Sequence, residues 1–250
     1  MAAGLSPERG SGTWDSPRYV VDLHCHTAAS FDCRSRPRDV VRTAFERGIT
    51  HLAITDHGRI DGALEARSVA PPGLVVLIGE EIRTVEGDLI GCFLEHPVPS
   101  GLSAREAIAE VRDQGGLVGI PHPFDRWRGS LGRRAWLGDL APLVDWVEIH
   151  NARALFRANA RAASFAAEQG LPGVAVSDAH TLLEIGVAAT VVEADPSTPD
   201  GLRAALRSAS LVTGRGAFVA RLATPLAKGL HWWQRIRRLG DGRTGRDGDG

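Results

Sequence analysis

The sequence predicts an α/β fold, a barrel rather than an open sheet. Seven short apolar runs, "YVVDL", "HLAIT", "LVVLIG", "LIGCFL", "GLVGI", "WVEI" and "GVAVS", recur along the chain, most of them rich in Val and Ile with little polar alternation. Strands buried on both faces of a parallel sheet read in this way. Helical patterns lie between several of the runs, which implies right-handed βαβ units, and seven strands are enough to curl into a barrel.

The helices carry their own punctuation. "RPRDVVRTAFERG" places Pro37 at a helix start, pairs Val40 with Ala44 and Val41 with Phe45 one turn apart, and stops at Gly48. "SAREAIAEVRDQGG" opens with Ser103 and Glu106 in capping-box spacing and ends at Gly115-Gly116. "RANARAASFAAEQG" is a third helix, closed by Gly170. The third and fourth runs lack a helix between them, and the turn residues Glu86-Gly87-Asp88 allow them to pair as a hairpin.

Composition narrows the class. With 250 residues and 43% hydrophobic content, the chain can build one large α/β domain around a sizeable core. A net charge of -1 gives no global attraction for a nucleic-acid duplex, which leaves small charged metabolites and locally held single strands. Three cysteines, Cys25, Cys33 and Cys92, form neither a disulfide framework nor a C-x-x-C zinc knuckle. Residues 1–17 read as a disordered leader without the apolar core of a signal peptide, and no stretch has the length of a transmembrane helix, so a cytoplasmic protein is expected. The barrel domain is expected over residues 18–222. Residues 223–239 form an amphipathic pattern with Leu226, Leu230, Trp233 and Ile236 on one side and arginines on the other, and residues 240–250 read as a disordered tail. The Trp232-Trp233 pair and its arginines suit packing on the barrel, a membrane surface or a single strand.

The chemistry gathers where the strands end. His24 and His26 follow the first run, with Asp32 shortly after; Asp56 and His57 follow the second, Glu80 and Glu81 the third. The fifth ends in "PHPFD", with His122 and Asp125, and the seventh in "SDAH", with Asp178 and His180. Each motif alone has an ordinary explanation as a turn, a cap or a packed ring. In parallel α/β folds, however, the carboxyl ends of the strands converge on one face. Carboxylates and imidazoles buried together there need cations to neutralise them.

These motifs, "DLHCHTAASFD", "AITDHGRIDGALEA", "GEE", "GLVGIPHPFDRWRG", "VEIHNAR" and "VSDAHTLLEIG", resemble the PHP (polymerase and histidinol phosphatase) domain family from about Arg18 to Val191, and within it the stand-alone metal-dependent phosphoesterases. The resemblance implies a distorted, TIM-like (β/α)7 barrel with two or three divalent metal ions at the strand ends. It assigns His24, His26 and Asp178 to one metal, His122 to a second, and His57, His180 and Asp32 to a third, with Glu81 rather than Glu80 as the bridging carboxylate. Some relatives carry a histidine near Asp88; neither Asp88 nor His150 is included in the expected ligand set. Asp56 is expected to orient a ligand, Asp125 to position Arg126 or relay a proton, and Arg128 and Arg153 to hold the substrate phosphate. Mixed imidazole and carboxylate ligands suit Mn, Zn or Fe.

The activity so implied is hydrolysis of a phosphomonoester, a nucleoside bisphosphate or an oligonucleotide end, with a small phosphorylated metabolite, a nucleotide or a short single-stranded nucleic acid as partner. Histidinol-phosphate hydrolysis and a non-catalytic metal-stabilised module are the alternatives. Deaminase or amidase chemistry is disfavoured, because the single lysine, Lys228, lies outside the core motifs. Cys25 alternates with the two histidines in an extended segment and is expected in the core, and His51 is expected at the opposite end from the cleft.

Overall fold

The computed structural model describes residues 18–126, 129–131 and 137–214. The expected leader, Arg128, the amphipathic segment 223–239 and the tail 240–250 lie outside the described residues.

The seven apolar runs all become strands: β1 (Tyr19–Asp22), β2 (His51–Ile54), β3 (Val75–Arg83), β4 (Asp88–Cys92), β5 (Leu117–Ile120), β6 (Trp146–Asn151) and β7 (Gly173–Val176). Two further strands, β8 (Ala189–Val192) and β9 (Ser210–Val212), extend the sheet to nine in the order β7-β6-β5-β4-β3-β2-β1-β8-β9. Both are short and pair antiparallel, β8 with β1 and β9 with β8.

The fold is a nearly closed barrel with one distortion. Most neighbours in β1–β7 run parallel, but β4 is antiparallel to both β3 and β5. The Glu86-Gly87-Asp88 turn makes β3 and β4 a hairpin with Arg83 opposite Asp88 and Glu81 opposite Ile90, so no helix separates them. Across the gap between β1 and β7, Cys25 bridges Ala179 in parallel, the Asp178 amide donates to the His24 carbonyl and the Ser177 amide to Asp22.

Helices α1 (Pro37–Glu46), α2 (Asp61–Ser68), α3 (Ala104–Asp113), α4 (Leu137–Leu140), α5 (Phe156–Gln169) and α6 (Pro199–Ala205) connect the strands. Pro37 opens α1, the reciprocal Ser103–Glu106 box caps α3, and Gly170 closes α5 in the left-handed conformation at φ 65°. Val40, Val41 and Ala44 are buried on α1. Phe45, expected on the same face as Val41, is instead exposed.

Two apolar layers hold the barrel. An outer layer between sheet and helices includes Val40, Ile54, Ala63, Ile78, Val111 and Val147. An inner layer fills the barrel with Val21, Leu23, Ala53, Leu77, Ile90, Leu117, Trp146 and Val176. Trp146 has no exposed surface, and the neighbouring strand makes room for it with a glycine: a Cβ on Gly119 would lie 2.1 Å from the Trp146 ring. This plug leaves only the mouth, at the carboxyl ends of the strands, open to polar groups.

Candidate metal centre

The mouth collects the motif residues. Among the described residues, three groups of ligand atoms lie within 4.8 Å of one another: His26, Asp32, His57 and His180; His24, His26 and Glu81; and Glu81, Asp88 and His122. His26 belongs to the first two groups and Glu81 to the last two, so the three form one continuous chain. Asp178 joins it, 3.7 Å from His24, 3.6 Å from His26 and 3.4 Å from His180. All eight residues expected as ligands thus meet in one place. Glu80 does not: strand alternation turns it to the other face of β3, where its carboxylate accepts the Val98 amide at 2.9 Å.

The surrounding hydrogen bonds fix how the rings present themselves. His24 Nδ1 contacts Glu148 Oε1 at 2.6 Å, and an ionised carboxylate only accepts, so this nitrogen carries the proton. The Ser30 hydroxyl donates to Asp56 at 2.8 Å, and therefore accepts from His26 Nδ1 at 3.1 Å. His180 Nδ1 lies 3.0 Å from the Asp178 carbonyl, another pure acceptor. The Nε2 atoms of all three rings are left aimed inward.

There they meet acceptors. His24 Nε2 is 3.0 Å from His26 Nε2 and 3.3 Å from Glu81 Oε2, while His180 Nε2 is 3.2 Å from Asp32 Oδ2. Facing lone pairs and carboxylates at this range repel unless a proton or a metal cation sits between them. Among the described residues, Asp32 Oδ1 and His122 Nδ1 are also buried with no hydrogen-bond partner. The donor set therefore fits divalent metal ions on its own geometry.

Electrostatics follow from the same crowding. Burial pushes the His24 ring down, but Glu148 and Glu81 beside it raise it to about 10. Burial pushes Glu81 up, and the His57 and His24 charges with the His122 and His24 hydrogen bonds hold it well below the usual carboxylate range. Asp32 is held low in the same way, burial being outweighed by His180 and His57. Burial and the neighbouring Glu81 charge push Asp88 up to about 6. Burial, reinforced by His26, holds the His180 ring well below its ordinary value, so it is neutral and ready to ligate.

Local backbone serves the same purpose. His122 and Asp178 adopt positive φ, 28° and 50°, a left-handed conformation that non-glycine residues rarely take. Such strain concentrates where side chains must converge on one point.

The remaining expected residues fall into place around the chain of ligands. Asp56 is fully buried; it accepts from the Thr27 amide at 2.7 Å, the Thr27 hydroxyl at 2.6 Å and Ser30, and so pins the loop after β1 behind His26. Asp125 is buried one turn after His122, its amide donating to the His122 carbonyl. Arg153 is buried and pairs with Glu184 at 3.1 Å. Cys25 is in the core with its thiol pushed well up by burial, and His51 lies at the start of β2, bonded to Ser197. His150 stands apart, bonded to the Gly214 carbonyl.

Three participants were not assigned from sequence. Asp88 faces the mouth because the hairpin register puts it on the same side as Glu81. Glu148 holds His24 and also accepts from the His122 amide and Asn151, both at 2.9 Å; an acidic residue inside the apolar "WVEI" run was its only signal. Glu184 accepts from the His180 amide, Thr181 and Arg153, an arrangement with no sequence signature.

A distorted β/α barrel with a chained imidazole–carboxylate cluster at its mouth defines the class. The comparisons agree: the PHP domain matches residues 22–114 and the PHP-associated C-terminal family matches residues 156–211. An uncharacterized protein of Methanocaldococcus jannaschii is 39% identical over 143 residues, 53% of this chain and 81% of that protein. A 5'-3' exoribonuclease of Haemophilus influenzae is 34% identical over 117 residues, 42% of each chain. In fold, a two-domain protein of Bacteroides vulgatus containing a predicted PHP-like metal-dependent phosphoesterase superposes with a TM-score of 0.68 at 19% identity, over 80% of this chain and 66% of that one. The chain belongs to the PHP family.

Proposed function

We propose that this protein is a metal-dependent phosphoesterase. The observation that carries the reading is the 3.0 Å approach of His24 and His26 Nε2, each ring having committed its other nitrogen as a donor, with Glu81 and Asp178 converging on the same point. Two or three divalent ions (Mn, Zn or Fe) held here would supply Lewis acidity toward phosphoryl oxygens and a water acidic enough to attack near neutral pH.

The protein's own groups do the rest. His24, His26 and Asp178 form one ligand set, His57, His180 and Asp32 another, and His122 with Asp88 a third, with Glu81 between sets. Glu148 and Asp56, through Ser30, hold the His24 and His26 rings in the ligating tautomer. Asp125, buried one turn after His122, is the group we assign to relaying a proton to the leaving group. Arg153, anchored by Glu184 and close enough to lower His180 by its charge, is the described candidate for contacting phosphate. Arg128 is assigned the same role from sequence.

Removal of nucleotides from an oligonucleotide end is a second reading, favoured by the identity with the Haemophilus influenzae exoribonuclease. The test is phosphate release from an aryl phosphate with Mn. Glu81→Ala and Asp178→Ala should each lower the rate by at least about 10²–10³-fold; undiminished turnover in both would sink the assignment.

A further inference from the structure

Between two acids of the centre lies a neutral side chain with no exposed surface, Asn151. Its Oδ1 accepts from the backbone amides of Arg153 at 2.9 Å and Ala154 at 3.2 Å, which fixes the amide's orientation and turns its NH2 group the other way. There Nδ2 donates to two carboxylates at once, Glu148 Oε2 and Asp178 Oδ2, both at 2.9 Å.

An irregularity in β6 delivers this side chain. Residues three apart in a regular strand face opposite sides, so Glu148 and Asn151 should diverge. The register of β6 on β7 shifts between Glu148, opposite Val174, and His150, opposite Ala175, which makes Ile149 an extra residue. Such a bulge re-aims the side chains that follow it. His150 is turned away from the mouth toward the Gly214 carbonyl, and Asn151 is turned onto the side of Glu148. From α5, Asn159 holds the re-aimed backbone: its Oδ1 accepts from the Asn151 amide at 3.2 Å, and its Nδ2 donates to the Asn151 carbonyl at 3.1 Å.

The two carboxylates joined by Asn151 serve one ligand set. Glu148 holds His24 through Nδ1. Asp178 divides its oxygens: Oδ2 goes to Asn151, while Oδ1 faces the imidazoles, 3.7 Å from His24 Nε2 and 3.6 Å from His26 Nε2. Asp178 stands at φ 50°, so its direction is set against local backbone preference and gains from a side-chain tether.

We propose that Asn151 is a positioning residue that keeps Asp178 a one-oxygen ligand and fixes it relative to His24. A carboxylate ligating through one oxygen leaves a coordination position that its second oxygen would otherwise fill, and a catalytic metal keeps such a position open. Without the amide, Oδ2 is released toward the ion, and Glu148 and Asp178 face each other with no donor between them. The inference rests on the phosphoesterase reading only in taking the cluster as a metal centre.

The test reads metal binding rather than turnover. The full chain is treated with chelator and loaded with Co, whose visible absorption weakens as ligands are added to a four-coordinate site. Asn151→Ala should lower the absorption per bound ion and reduce metal affinity by about tenfold to a hundredfold, read by competition with a chromogenic chelator. Asn151→Ser, whose short hydroxyl cannot span both carboxylates, carries the same test should Asn151→Ala fail to fold. Asn159→Ala removes two hydrogen bonds from the same stretch of backbone but leaves the Asn151 amide in place, so its Co spectrum should match the unsubstituted protein. An unchanged spectrum or affinity in the folded Asn151 variant, or an equal loss in Asn159→Ala, would overturn the proposal. An unsubstituted chain that takes up no Co would overturn the metal centre with it. Absent phosphate release with Co uptake intact would count against the phosphoesterase reading alone.

Discussion

Strand β2 carries a histidine near each end, and the two have opposite surroundings. His51, at its start, lies beside Tyr19 and contacts Thr50 and Ser197, neutral partners that satisfy both ring nitrogens. Burial pushes its pKa down, with Asp195 opposing from 3.8 Å. His57, just past the other end, faces Asp32 at 3.4 Å and Glu81 at 3.2 Å and lies against the His26 ring. The same residue type is bonded to neutral groups at one end of β2 and faces carboxylates just beyond the other. The barrel interior makes the difference, because Trp146 and its neighbours seal one end while the other admits charge.

Changes on either side of that divide should behave differently. The largest expected effect is in the plug: Gly119→Ala drives a methyl into Trp146 and should cost about 3 kcal/mol in urea unfolding, at the upper end of overpacking penalties. A normal midpoint would mean that Trp146 can move and the seal is soft.

Next comes Glu80, raised to about 7 by burial, with the Val98 amide opposing. Its folded pKa exceeds its unfolded one, so the folded state binds more protons between about pH 4.5 and 7, and stability falls as pH rises through that window. In chelator-treated protein, Glu80→Gln should abolish this component and add about 2–3 kcal/mol at pH 8. Equal stability of the two proteins at pH 8 would refute the burial penalty.

Glu148→Gln weakens the grip on His24 Nδ1 and should lower metal affinity by about tenfold to a hundredfold, read by competition with a chromogenic chelator. The smallest effect belongs to His51→Gln, which should leave metal affinity unchanged and shift stability by less than about 1 kcal/mol. A loss of metal in that variant would erase the contrast between the two ends of β2.

Strand positions were legible because burial on both faces forces continuous apolar runs, and helix ends because Pro37, Ser103–Glu106 and Gly170 act locally. The motif histidines and acids were legible because each stands at the end of such a run. Strands β8 and β9 were not, since they lie outside the strand–helix alternation and join the sheet by antiparallel pairing with β1 and with each other. Asp88 and Glu148 were hidden for a related reason: one joins the centre through hairpin register, the other through the side of β6 that faces His24.

By itself, then, the sequence determined the alternating α/β order, the seven principal strands and the residue types delivered to their carboxyl ends, all set by short-range periodicity and turn chemistry. Only the tertiary structure decided which of those residues touch. Closing the barrel brings β1, β3 and β7 to one mouth, aims five imidazoles of the described residues at carboxylates, and sets His57 and Phe31 at its edge. Contacts between side chains more than a hundred residues apart, such as His24 with Glu148, depend on that closure.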